Sequence, residues 1–227
     1  MMAALLMGAL NATAKDYHYT TVPGDAMKTR IYTLDNGLKV YMSVNKEKPR
    51  LQANIAVKTG SRNDPAETTG LAHYLEHLMF KGTTHFGTTD VEKEKPYLDE
   101  ITRRYESYRK LIDPAQRKQA YHEIDSISQL AARYNIPNEY DKLMASIGSE
   151  GSNAYTSNDV TCYVENIPNN EIENWAKIQS DRFQNMVIRG FHTELEAVYE
   201  EKNISMASDD DKRWAALWKL LTPTHPY

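Results

Sequence analysis

The stretch Gly70-Leu71-Ala72-His73-Tyr74-Leu75-Glu76-His77-Leu78-Met79-Phe80-Lys81-Gly82-Thr83 constrains this chain more than any other. It contains H-x-x-E-H, the reverse of the order H-E-x-x-H. If the segment is helical, His73 and His77 fall one turn apart on the same face. Two imidazoles stacked in this way can each set a ring nitrogen about 2.0–2.1 Å from one Zn²⁺ ion. Glu76 borders that face, where a carboxylate can hold and deprotonate a water on the metal without binding the metal itself.

The segments on either side predict strands first and helices later. Thr29 to Leu34 and Leu38 to Ser43 flank Asp35-Asn36-Gly37, and alternation about an Asn-Gly turn is a strong hairpin signal. Leu51 to Lys58 alternates again as a third strand, and a polar loop from Gly60 to Gly70 with Asp64-Pro65 leads into the motif. His85 follows in a Gly/Thr-rich loop and reads as a surface histidine. Asp90 caps a helix running towards Leu111, and Asp113-Pro114 ends it and starts another reaching about Arg133. These two form a helical hairpin whose interleaved charges read as a solvated face.

Asn138 is placed to cap a short helix, Glu139 to Ile147. Asn153-Ala154-Tyr155-Thr156 and Val160 to Ile167 form a strand pair, and Glu171 to Met186 an amphipathic helix with Ile172, Trp175, Ile178 and Phe183 on its apolar face. Thr193 caps an acidic helix, Glu194 to Asn203, and a last helical stretch carries Trp214 and Trp218 as packing residues. The order predicts an α+β fold, a mostly antiparallel sheet covered by helices.

Composition narrows the function classes. A net charge of −4 gives no basic field, so no nucleic-acid partner is expected. A single cysteine, Cys162, excludes an intrachain disulfide and a cysteine-rich metal site; it reads as a buried thiol in a strand. Met1 to Ala14 has a short apolar run ending in Ala12-Thr13-Ala14, an export-signal pattern without the usual basic start. The expected location is therefore outside the cytoplasm, in a bacterial periplasm or secreted. No later segment is apolar enough to span a membrane.

In order along the chain, the Asn-Gly hairpin, Ile55-Ala56-Val57, Gly60-Ser61-Arg62, Gly70 to Thr83, Asn153 to Thr156, Tyr163, Ser180-Asp181-Arg182 and an acidic helix resemble the pitrilysin/insulinase family of inverted-motif zinc peptidases, which includes the mitochondrial processing peptidases. The resemblance implies a zinc-dependent endopeptidase that hydrolyses peptides or unfolded polypeptides. It implies one Zn²⁺ per chain with His73 and His77 as ligands and Glu76 as the general base. The family's third ligand is a glutamate seven positions after a supporting glutamate. Glu201 and Glu194 fit that spacing, whereas Glu200 falls one residue short. Asn153 and Ala154 match the edge strand that binds the substrate backbone, and Phe80 is placed either to line a side-chain pocket or to pack in the core.

The expected boundaries are an export signal over 1–14, from the apolar run, then, from the resemblance, an incomplete N-terminal zinc-peptidase domain over 15–227, with a helical insertion about 90–147. The interval from His77 to Glu201 exceeds the family's usual spacing, and the hairpin accounts for the excess. The family encloses its substrate between two related halves, so the expected partners are a peptide substrate and a second homologous half-domain, in the same gene or on a partner chain. The chain reads as truncated at its C-terminus. The alternative reading is a non-catalytic peptide-binding or scaffold piece.

Overall fold

The computed structural model describes residues 16–225, so the expected export signal lies outside the described residues. The chain divides into two compact units at Pro49/Arg50. In the first, β1 (Tyr19–Thr20), β2 (Arg30–Thr33) and β3 (Lys39–Met42) form an antiparallel sheet in the order β1-β2-β3. The β2–β3 register, Ile31 opposite Tyr41 and Thr33 opposite Lys39, is set by the predicted Asn-Gly turn. Gly37 sits at φ +86°, a conformation closed to most side chains, and Leu34 N–H donates to Leu38 O at 2.9 Å.

The second unit holds β4 (Arg50–Val57), β5 (Asn153–Thr156) and β6 (Thr161–Pro168), antiparallel in the order β4-β6-β5. The antiparallel pairing thus falls into two three-stranded sheets, and the fold is α+β. β6 is central, with five of its eight residues buried and the other three partly buried, and Cys162 on it is a buried free thiol. β5 is an edge strand. The helices are α1 (Leu71–Leu78), α2 (Val91–Tyr108), α3 (Pro114–Ala132), α4 (Glu139–Ser146), α5 (Ile172–Gln184), α6 (Phe191–Ala207) and α7 (Asp209–Leu221). Among the described residues no helix is long and apolar enough to cross a membrane.

The core centres on Phe86, Tyr140, Met144 and Ile167, with Leu51, Phe80, Leu143, Ile147, Trp175 and Ile178 packed around them. Inside it lies a charge. Arg182 is fully buried, with its guanidinium 4.2–4.6 Å from the ring centres of Tyr163, Phe80 and Tyr140. Rings on several sides replace part of the hydration that burial removes. Its Nε donates to Met79 O at 3.0 Å, tying α5 to the end of α1.

Four local expectations need correction. On α5, Trp175 and Ile178 face the core, but Ile172 and Phe183 are exposed because Gln179 and Arg182 take the buried positions. The acidic helix starts two residues before Thr193: α6 begins at Phe191 after Gly190, whose φ of +61° makes the turn. Asn138 precedes α4 but is left-handed at φ +56° and makes no side-chain cap. Trp214 and Trp218 are 59% and 49% exposed, so among the described residues they are not packing residues. The hairpin α2–α3 forms as read, capped by Asp90 on Lys93 N–H and by Asp113 on Gln116 N–H.

Candidate metal centre

A short helix needs help at both ends, because eight residues leave most of its terminal backbone groups outside the helical ladder. At the start of α1, Asp64 accepts from Gly70 N–H at 2.7 Å and Ala72 N–H at 2.9 Å, the anion lying at the positive end of the helix. At the far end Arg182 takes the Met79 carbonyl. The loop that follows is tight: a Cβ at Gly82 would lie 2.4 Å from Phe86 O.

Held in this way, α1 turns His73, Glu76 and His77 into a cleft of about 690 Å³. The same cleft is lined by Phe80, Lys81, Asn153, Ala154, Glu194 and Glu201. Every candidate residue taken from the sequence is therefore brought to one place, including Glu201 from beyond the hairpin. Phe80 fills both of its proposed places, lining the cleft while its ring packs on Arg182 and edge-on to Tyr140 at 5.3 Å.

The distances test whether a zinc ion suits this donor set. His73 Nε2 and His77 Nε2 are 3.3 Å apart, and Glu201 Oε2 is 3.5 Å from the first and 3.7 Å from the second. A tetrahedral ion with arms of about 2.0–2.1 Å has edges of about 3.3–3.4 Å between donors. The three atoms form one face of such a tetrahedron, and two imidazoles with one carboxylate are the donor types zinc takes. The residues fit the ion. Glu194 addresses the other nitrogen of the same ring: its Oε2 is 3.5 Å from His77 Nδ1, and its Oε1 pairs with Lys81. A carboxylate there fixes the tautomer that leaves Nε2 free to ligate.

Glu76 is 6% exposed and points to the same place without joining the donor triangle. Its Oε2 accepts a 2.6 Å hydrogen bond from Thr156 Oγ1 on β5. Thr156 lies 3.3 Å from Thr161 Oγ1, which donates in turn to Thr59 O at 3.0 Å. Burial pushes the Tyr163 phenol up to about 12, with Arg182 pulling down and the Glu76 carboxylate adding to the rise. The phenol stays neutral at any working pH.

Sequence reasoning gave no role to three residues here. Asp64, Lys81 and Thr156 act through one or two polar contacts to groups far along the chain or across a turn. Only Thr156 carried a usable signal, since it shares a strand face with Ala154.

The model of the family described as insulinase, peptidase family M16, matches residues 39–97, the interval holding His73, Glu76 and His77. The mitochondrial-processing peptidase subunit beta of Neurospora crassa is 39% identical over 71 residues, 31% of this chain and 15% of that protein. Among solved structures, pitrilysin superposes with a TM-score of 0.57 at 16% identity, over 92% of this chain and 18% of its own. The first half of the periplasmic protease PqqL from Escherichia coli superposes at 0.59 and 19% identity, over 91% and 35%. At these identities the structures share the fold, and the chain spans only a small part of its relatives' length.

Proposed function

We propose that the chain, which matches the model of insulinase, peptidase family M16, over residues 39–97, is the metal-binding part of a zinc-dependent endopeptidase of that family. The observation that carries the proposal is the donor triangle of 3.3, 3.5 and 3.7 Å, with Glu76 beside it and held from the edge strand. His73, His77 and Glu201 would hold the ion, and Glu194 would orient His77. When bound, zinc lowers the pKa of a water towards about 7 and polarises the carbonyl under attack.

The chain's own groups do the rest. An extended peptide pairs with the outer edge of β5 at Asn153 and Ala154, which fixes its backbone and leaves the sequence free to vary. Glu76, with one oxygen occupied by Thr156, uses the other to take the proton from the attacking water. It then delivers that proton to the leaving amine. The cleft holds Glu76, Glu139, Asp141, Glu194 and Glu201 against Lys81 and Arg189, an acidic excess that a divalent cation balances.

The substrate is a peptide or unfolded polypeptide, and a second homologous half, from the same gene or a partner chain, completes the enclosure. The N-terminal residues 1–14 direct export to the periplasm or the outside. A binding-only role has less in its favour, because Glu76 is retained and aimed. The test is Glu76→Gln in a chain carrying its second half. Zinc content should match the parent while peptide hydrolysis is lost. A variant as active as the parent removes Glu76 from the role.

A further inference from the structure

Both late carboxylates of the centre ride on α6, and α6 is gripped at its first turn. Gly190, left-handed, is the pivot from which it departs. One residue earlier, Arg189 Nε bonds both oxygens of Glu94 on α2, at 2.8 and 3.0 Å, with these side chains 2% and 0% exposed. Two residues later, the buried His192 ring has Nδ1 at 2.6 Å from Tyr105 OH, also on α2. The Tyr105 ring meets Phe191 at 4.8 Å, and Tyr121 of α3 meets His192 at 4.9 Å. α1 adds to the grip, with Tyr74 OH donating to Phe191 O and its ring edge-on to Phe191 at 5.2 Å.

Glu94 and Tyr105 are eleven positions apart on α2, three full turns, so one face of that helix reaches both sides of the pivot. The hairpin is thus not a flap resting over the cleft. Its interface with the start of α6 is a buried ion pair and a cluster of rings, contacts that opening would have to break.

We propose that the hairpin α2–α3 is a brace for the ligand helix, with Glu94 and Tyr105 as positioning residues that set the direction in which α6 leaves Gly190. The proposal rests on the reading of His73, His77 and Glu201 as zinc ligands. The lever is long. Glu201 lies ten residues beyond Phe191, about 15 Å along the axis, so a tilt of about 10° at the pivot displaces it by about 2.6 Å. That exceeds a whole metal–oxygen bond of about 2.0–2.2 Å. Further along, Tyr199, Ile204 and Met206 of α6 are exposed and do not anchor it.

The experiment uses the full chain, with Tyr105→Phe, which keeps the ring, and Glu94→Gln. Amide hydrogen exchange is followed over residues 191–201 in metal-free protein, with α5 as the internal reference, and Zn²⁺ affinity is measured by competition with a chelator. Exchange in α6 should rise several-fold in both variants while α5 stays unchanged, and zinc affinity should fall about 10–100-fold. Parent-like exchange in α6, or an equal rise in α5 and α6, overturns the brace. Faster α6 exchange in the variants, with a parent that itself binds no zinc, leaves the brace standing and overturns the ligand reading instead.

Discussion

Thr156 Oγ1 donates a 2.6 Å hydrogen bond to Glu76 Oε2, joining the edge strand that would carry a peptide to the carboxylate that would move its proton. A base that shares its anchor with the substrate strand is kept in register with whatever pairs there. Thr156→Val removes the donor and keeps the shape, leaving a buried carboxylate short of one partner. The expected result is kcat for peptide hydrolysis lower by about 10–100-fold, with zinc content unchanged. Unchanged kcat would mean that Glu76 is oriented by its helix alone.

The acidic run on α6 makes a sharper test of the metal centre. Glu201 Oε2 lies on the Nε2 side of both imidazoles, whereas Glu194 reaches His77 at Nδ1, across the ring from any ion held by Nε2. Glu200 turns to Asn203 at 3.4 Å and lies outside the donor triangle. Glu201→Gln should therefore abolish near-stoichiometric zinc, Glu194→Gln should weaken it about 10–100-fold, and Glu200→Gln should leave it intact. Metal analysis of the three purified variants decides. Zinc retained in Glu201→Gln but lost in Glu194→Gln would reassign the ligand.

These residues differ in how far the sequence alone could identify them. His73, Glu76 and His77 sit within five positions, so helical periodicity by itself brings them to one face. Glu201 lies beyond two long helices amid other glutamates, and only the family spacing selected it over Glu200. Thr156 left only its shared strand face with Ala154 as a signal, because its partner is eighty positions away and a hydroxyl in a strand is ordinary. The elements were legible where local chemistry decides them, as at Asn36-Gly37, Asp90 and Asp113. They were misread where tertiary packing decides: α6 starts at Phe191 because Tyr74 and Tyr105 hold that ring, and α5 turns Arg182 inward because four aromatic rings receive it.

Arg182 leads to a stability prediction. Its Nη1 donates to Tyr140 OH at 2.8 Å, and Tyr140 OH donates to Glu165 Oε1 at 2.5 Å. Glu165 Oε2 accepts from Ser152 at 2.6 Å, just before the edge strand. The buried carboxylate is thus the counter-charge to the buried guanidinium, relayed through one phenol. Glu165→Ala leaves Arg182 uncompensated, a change that costs about 3–5 kcal/mol. For a chain of this size that lowers Tm by about 10 °C, as read by thermal circular dichroism. A Tm within about 2 °C of the parent's would show that the rings alone sustain the charge.

Asp181 provides the pH test. Burial works to raise its carboxyl pKa, but hydrogen bonds from Thr83, Asn185 and His85 outweigh it, and the net shift is downward. Thr83 is fully buried; its Oγ1 donates to Asp181 Oδ2 at 2.5 Å and accepts from His85 N–H at 2.9 Å. With the folded pKa below its ordinary value, the unfolded chain takes up the proton first as pH falls. The stabilisation is therefore complete above the ordinary carboxylate range and is lost as pH drops through the folded value. Asp181→Ala strands a buried hydroxyl, so at pH 7 it should destabilise by about 1–3 kcal/mol. The gap between parent and variant in urea midpoint should narrow steadily below about pH 4. A gap that stays constant down to pH 3 would mean that Asp181 contributes by packing and not by charge.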